Sequence, residues 1–318
     1  MMVPGYRAKW RECYACMTAE LSALVPNLTF GEDGGAPWIE LRKQGLRLFG
    51  FWTEPANAQV YDLLKDVLPE GLPKTHFRLA KDCLNRYVYP HMRPDLKPAG
   101  FPVERMFGFH AQHKDAIVDL KDAPARPELF AAFRPKADDV IVDCGSFLGF
   151  GELRLAPEMP DGHIYAVEAD SECHALLERN LAYNKIGNVT ALHRAVWNEE
   201  TELELETGFA QANTLIREIH KGQSTQKVRT VTIDQIIDAF GLAKVDMLSL
   251  TLNGAEVEAL AGARRTLDEL RPRIRLAGWY ARNGRPVHEL VRPNLEAHRY
   301  RVCVGLRGNV MALPEERT

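Results

Sequence analysis

Residues 138–149 read Asp-Asp-Val-Ile-Val-Asp-Cys-Gly-Ser-Phe-Leu-Gly, and residues 164–170 read Ile-Tyr-Ala-Val-Glu-Ala-Asp. Val140, Ile141 and Val142 form an apolar, β-branched run without polar alternation, as expected of a strand buried on both faces of a parallel sheet. A turn follows at once. Gly145 and Gly149 lack a Cβ, so the backbone can bend sharply there and approach another backbone or a ligand. The second apolar run, Ile164 to Val167, ends in the acid Glu168. Strand, glycine turn and second strand with an acidic tip are the parts of a nucleotide-binding βαβ unit, in which the acid accepts ribose hydroxyls.

The glycine spacing separates two kinds of ligand. A dinucleotide fingerprint needs G-x-G-x-x-G, with the pyrophosphate on the helix N-terminus. Here the loop reads Asp143-x-Gly145-x-x-x-Gly149, a pattern associated with S-adenosylmethionine loops, where no pyrophosphate is cradled. With Glu168 in register, the plain alternative of a tight turn in some other α/β domain loses most of its weight.

Bulk properties narrow the field further. The chain has 318 residues, 46% hydrophobic and 26% charged, with formal net charge −3, long enough for two domains or one domain with an extension. Lys and Arg are scattered, which argues against a general nucleic-acid binder. No apolar run reaches the roughly 20 residues of a membrane span, and the first residues, MMVPGYRAKWRECYAC, carry no apolar signal core. A cytoplasmic location is therefore expected. Cys13, Cys16, Cys83, Cys144, Cys173 and Cys303 are dispersed without framework spacing, as reduced thiols would be.

Helical spacing is expected over residues 8–25 (Trp10, Cys13, Tyr14, Met17, Leu21, Leu24), over 60–68 and again over 77–88. Cys13-x-x-Cys16 lacks the second ligand pair a zinc site requires, and His110 and His113 lack a third ligand; no metal site is expected. Residues 36–53 read as two short strands around a turn at Gln44-Gly45. Pro90, Pro94, Pro98 and Pro102 interrupt any helix. The expected organisation is a mostly helical region over 1–102, a connecting segment over 103–135 that includes a helix at 127–133, and a Rossmann-like domain over 136–318.

After Glu168, Asp170 or Ser171 is placed to cap a helix carrying Cys173, Leu176, Leu177 and Leu181 on its apolar side. Val189 to Leu192 form a third strand, and Ala195, Val196 and Trp197 stand at its exit, where an adenine ring would lie if Glu168 holds the ribose; Trp197 is more simply read as core. Strands with one wet face are expected over 202–206 and 227–233, joined by a long polar loop, 208–226, that suits either a lid or a substrate loop, or disorder. A further strand over 245–252 leads into Asn253-Gly254-Ala255-Glu256 and a helix. Its exit faces the same crevice as Gly145 and Glu168, which makes Thr251, Asn253 and Glu256 the second place to look for chemistry. Later strands are expected over 273–278, 300–304 and 309–313.

Across roughly 130–304 the sequence resembles the FkbM-type S-adenosylmethionine-dependent methyltransferases. The matching stretches are the glycine loop 142–149, Tyr165-Ala-Val-Glu-Ala-Asp170, Asn180-Leu-Ala-Tyr-Asn184, Thr230-Val-Thr-Ile-Asp234 and Asn253-Gly-Ala-Glu-Val-Glu-Ala-Leu-Ala-Gly-Ala263. The resemblance implies a Rossmann-like class I fold, a mostly parallel sheet flanked by helices, here behind an α-rich N-terminal extension. It also implies methyl transfer from S-adenosyl-L-methionine to a hydroxyl, often on a sugar or natural product, with a small molecule or glycan as acceptor. Asp143, Gly145, Gly149, Glu168 and Asp170 match its cofactor positions; with the intervening Cys144, Ser146, Phe147 and Ala169, and with Ala195 and Val196, they make up the candidate cofactor set. One departure stands out. The family's Lys-x-Asp-x-Glu-Gly-x-Glu at the end of the fourth strand is here Ser249-Leu-Thr251-Leu-Asn253-Gly-Ala-Glu256. A neutral hydroxyl or amide is a poor general base near pH 7. Either the acceptor is deprotonated in another way, with His193, His220, Asp234 and Glu256 as weak candidates, or the chain has kept the fold as a binding or assembly module.

Overall fold

The computed structural model describes residues 18–19, 22–23, 28–42, 45–49, 132–207, 213–216, 224–304 and 308–317. The chain divides into two compact units between Asp115 and Ala116. The expected helices at 60–68 and 77–88, the proline-rich stretch, Cys13, Cys16, Cys83, His110, His113, His220 and most of the helices at 8–25 and 127–133 lie outside the described residues. Residues 18–19, 22–23 and 132–133 are helical.

In the first unit, β1 (Leu28–Asp33), β2 (Ala36–Leu41) and β3 (Leu46–Phe49) make an antiparallel meander. The hairpin expected around Gly45 is β2–β3; β1 has no counterpart among the expected strands. Its Gly31 faces Trp38, whose indole occupies the space that a Cβ would need. The Arg47 guanidinium lies 3.9 Å over the same indole and pairs with Glu40.

The second unit begins its sheet at β4 (Val140–Cys144), followed by α1 (Phe150–Leu155), β5 (His163–Glu168), α2 (Ser171–Tyr183), β6 (Val189–His193), β7 (Ala195–Val196), β8 (Glu202–Thr207) and β9 (Ser224–Val231). Then come α3 (Ile233–Phe240), β10 (Met247–Leu250), α4 (Glu256–Ala261), β11 (Arg273–Leu276), β12 (Ala281–Arg282), β13 (Arg285–Pro286), α5 (Val287–Ala297), β14 (Tyr300–Val304) and β15 (Val310–Pro314). Seven strands form one sheet in the order β14-β15-β11-β10-β4-β5-β6, and only β15 runs against the rest. This is the expected Rossmann-like class I architecture. The strand order reverses between β4 and β10, and in open α/β sheets ligands bind at the carboxyl ends beside such a reversal. A second small sheet has the order β7-β9-β8.

Alternation along the strands fills two cores. Val142, Cys144, Leu248, Leu250, Ile274 and Leu276 face α3, α4 and α5 through Ile233, Ile236, Leu260, Val287, Val291 and Leu295. Ile141, Ile164 and Met247 face the other way, onto Phe133, Leu155 and Met159. Each such buried side chain is worth about 1.5–3 kcal/mol relative to exposure. At the amino ends of the strands, Arg273 pairs with Asp139, and Val140 N donates to Asp246 Oδ2 at 2.8 Å, so β4, β10 and β11 are cross-tied away from the crevice.

The strand expected over 245–252 is Met247–Leu250 and that over 273–278 ends at Leu276; two other boundaries also differ from expectation. The strand expected through Ile233 stops at Val231, because Thr232 caps α3 in a reciprocal box with Gln235. The expected loop 208–226 ends at Ser224, where β9 begins.

Candidate functional site

The carboxyl end of β4 turns at Gly145, whose φ is +90°. A Cβ there would lie 2.1 Å from the carbonyl oxygen of Thr251, well inside contact distance. The glycine loop and the exit of β10 are therefore packed backbone to backbone, and Thr251 N donates to the Cys144 carbonyl at 2.8 Å alongside. Gly149 has φ +78°, and its Cβ would meet Leu177 Cδ1 at 2.4 Å. Of the two glycines, Gly145 lets the loop touch β10 and Gly149 lets it touch α2.

The N–H groups of the loop point inward. Gly145 N and Ser146 N both donate to the Val167 carbonyl, at 2.8 and 3.1 Å, and Phe147 N donates to Glu168 Oε2 at 2.8 Å. A pyrophosphate would find these donors already engaged, whereas a cofactor without phosphates loses nothing. The residues present therefore fit S-adenosylmethionine. Glu168 Oε1 accepts from Asp170 N at 2.8 Å. Each carboxylate oxygen has a second lone pair, so the clamp retains capacity for ribose hydroxyls. Burial pushes the Glu168 carboxyl up to about 7 against the opposing pull of its backbone donors.

The exit of β10 repeats this device. Glu256, fully buried at the start of α4, accepts from Leu252 N at 2.8 Å and Gly254 N at 2.9 Å, and burial likewise lifts its carboxyl to about 7. Asn253 lies inside the clamped turn at φ +54°, a left-handed conformation that asparagine tolerates better than most residues. Its amide Nδ2 donates to the Asn213 carbonyl at 2.8 Å, and its own carbonyl accepts from Thr214 Oγ1 at 2.9 Å.

Beneath the loop, Asp143, Ser249 and Arg275 are neighbours in register on β4, β10 and β11. Arg275 Nη2 donates to Ser249 Oγ at 2.9 Å. Glu152 of α1 completes the group around a cavity of about 10 Å³, room for roughly one water. Glu152 is 1% exposed and neither of its oxygens has a hydrogen-bond partner. Burial, then the neighbouring Asp143 charge, pushes its carboxyl well above the ordinary range. The cation that the resemblance puts at position 249 is thus found one strand over, on Arg275.

The remaining candidates separate into exposed, structural and buried. Cys144 is buried with its thiol pushed up by burial, so only its backbone reaches the loop. Ser146 Oγ donates to the Asp143 carbonyl at 3.0 Å. The Ala169 carbonyl faces His193 Nε2 at 3.1 Å. Asp170 caps α2 through Oδ1, which accepts from Cys173 N, while Oδ2 accepts from Asn213 Nδ2 and Gln226 Nε2, each at 3.0 Å. Ala195 and Val196 stand at the expected exit of β6, but both side chains are buried, and the strand pairs with β9. Asp234 accepts from Arg265 N, Thr266 N and Thr266 Oγ1, and Glu256 is the turn clamp, so neither stands free as a base. Sequence reasoning missed Glu152, Arg275, Asn213, Thr214 and Gln226; the one available signal was the length of the polar loop 208–226. Among the described residues no group of three metal-ligating side chains is close together, and no helix is long and apolar enough to cross a membrane.

The profile of the methyltransferase FkbM domain matches residues 143–302, half of the chain. No curated protein matches it. Solved structures similar to part of the chain include a precorrin-6y C5,15-methyltransferase from Geobacter metallireducens, at 16% identity, covering 63% of this chain and 94% of that one, TM-score 0.35. A putative O-methyltransferase from Klebsiella pneumoniae matches at 18% identity over 70% of this chain and 93% of that one, TM-score 0.35. Fibrillarin from Aeropyrum pernix, solved with bound S-adenosyl-L-methionine, matches at 14% identity over 57% and 68%, TM-score 0.35.

Proposed function

Since this chain belongs to the FkbM family of S-adenosylmethionine-dependent methyltransferases, we propose that it methylates a hydroxyl of a sugar, glycoconjugate or natural product by in-line transfer. The observation that carries this reading is the contact of Gly145 with Thr251. Whatever rests on the glycine loop lies beside the neutral, hydrogen-bonding exit of β10. The bound cofactor supplies a sulfonium methyl group, which needs no metal or acid to activate it.

In this reading Gly145, Ser146, Phe147 and Gly149 shape the loop, and Glu168 holds the ribose while fixing Phe147 and Asp170. Thr251 and Asn253 line the acceptor side. They orient a hydroxyl without titrating: as the oxygen–methyl bond forms, the carbon–sulfur bond breaks to leave S-adenosylhomocysteine and the hydroxyl proton passes to water, and positioning, worth up to roughly 7–11 kcal/mol in aligned reactions, supplies most of the acceleration. We take residues 136–318 as the transferase domain.

The departures at 249 and 253 favour an active site rebuilt with matched partners over a catalytically dead module. Ser249 meets Arg275, and Asn253 meets Asn213 and Thr214. The test begins with titration calorimetry of S-adenosylmethionine and S-adenosylhomocysteine into the purified protein, followed by transfer to a panel of hydroxylated acceptors. Micromolar binding of both with methylated product supports the reading. Binding of neither removes the cofactor site, and binding without transfer to any acceptor turns the reading toward a binding module.

A further inference from the structure

Residues 213–216 lie between β8 and β9 and are anchored on both sides of the glycine loop. Thr214 bridges to Glu206 through paired backbone hydrogen bonds of 2.8 and 3.2 Å. From that point two successive side chains reach in different directions. Asn213 Nδ2 donates to Asp170 Oδ2 just beyond the end of β5, and Thr214 Oγ1 donates to the Asn253 carbonyl beyond the end of β10. Asn253 Nδ2 returns the bond to the Asn213 carbonyl, and Ile216 N donates to Thr214 Oγ1 at 3.0 Å. Thr214 and Ile216 are buried. Between β5 and β10 in the sheet lies β4 with its glycine loop, so the two anchors stand beyond the strands that flank it, about two strand spacings apart, roughly 10 Å.

Asn253 suits this tie for a chemical reason. An asparagine side chain offers a donor and an acceptor, and here the donor faces a carbonyl. A glutamate in its place, as in the family's pattern, is an acceptor only, and would set a carboxylate against the Asn213 carbonyl.

We propose that Asn253 is a positioning residue which, through Asn213 and Thr214, straps residues 213–216 across the glycine loop and slows release of the S-adenosyl ligand. This rests on the cofactor reading above and adds to it a residue and a direction of effect. It also accounts for the neutral amide as the requirement of a closed strap.

The test is stopped-flow binding of S-adenosylhomocysteine to the full chain and to Thr214→Val, Asn253→Asp, the double variant and Thr214→Ser. Thr214→Val keeps the shape and removes the hydroxyl; Asn253→Asp keeps the shape and left-handed tolerance and removes the amide donor. Asn253→Asp, which removes one hydrogen bond of the strap, is expected to speed release about tenfold, and Thr214→Val, which also leaves Ile216 N without its acceptor, at least as much, with association changed less. The double variant gains less than the product of the two, because both bonds hold one segment. Thr214→Ser retains slow release. Unchanged release in both single variants overturns the strap. Faster association alone overturns it too, since the segment then obstructs the site instead of covering it, and equal acceleration in Thr214→Ser and Thr214→Val reduces the effect to packing. Absence of binding by the unmodified protein is a separate outcome, which overturns the cofactor reading and this proposal together.

Discussion

The two sides of the crevice are built by the same device and differ in chemistry. At the end of β5, Glu168 gathers two backbone N–H groups; at the end of β10, Glu256 does the same. Around Glu168 the residues are those the family resemblance leads one to expect. Around Glu256 the ionisable side chains have been exchanged for neutral ones, and two of the exchanges have answering neighbours: Arg275 for Ser249, Asn213 and Thr214 for Asn253. A turn can thus keep its geometry while its side chains are replaced, provided the replacements are hydrogen-bonded as a set.

The comparison breaks hardest where the sides touch. Gly145→Val puts a branched side chain at φ +90° against the Thr251 carbonyl; a destabilisation of about 3–5 kcal/mol and loss of measurable S-adenosylhomocysteine binding are expected, read by thermal unfolding and calorimetry. Next is the triple change Ser249→Lys, Thr251→Asp, Asn253→Glu, which writes the family's residues into β10 and its exit. Because the introduced ammonium would adjoin Arg275 and the introduced carboxylate would face the Asn213 carbonyl, the variant is expected to lose about 2–4 kcal/mol of stability and to gain no activity. A gain in turnover would show that the neutral set is a loss and not a rebuild. Glu168→Ala, confined to the cofactor side, is expected to weaken ligand binding about 100-fold through lost charge-assisted hydrogen bonds and a loosened Phe147, with a smaller effect on stability than the triple change.

The smallest effect is in pH. Glu168 and Glu256 have folded-state values of about 7, above the ordinary carboxylate value near 4.5, so the folded protein binds their protons more tightly than the unfolded chain does. Their contribution to stability is complete below about 4.5 and is lost as pH rises through 7. Between pH 6 and 8 this amounts to about 1 kcal/mol for each, a fall of a few degrees in melting temperature. A flat or rising melting curve over that interval would show that the two buried carboxyls are not raised as their burial implies.

The cofactor side was legible because its signals are local. Val140 to Val142, two glycines at fixed spacing and an acid at a strand tip follow closely along the chain and need no tertiary information. The sheet followed from the order of apolar runs. What escaped is long-range or locally ambiguous. Arg275 reads as one more alternating residue of a strand until β11 is set beside β10. Asn213 and Thr214 sit in a polar stretch with no periodicity, and their partners are distant in sequence. Thr232 reads as part of an alternating strand, although Gln235 completes a capping box with it. Glu152 falls in a helix of six residues, too short to show a periodic face.

Strand β15 has a consequence for how the domain is assembled. It lies between β11 and β14 and is the sole reversed strand of the sheet. Until residues 310–314 have been synthesised, β14 has no edge to join, and the backbone groups along the outer edge of β11 remain unpaired. A nascent chain at that stage already carries the whole glycine loop, yet its sheet ends in an open edge of the kind that recruits other strands. The strand that closes this edge is the last of the sheet to leave the ribosome, so the interval before its arrival is when the chain is most exposed to mispairing.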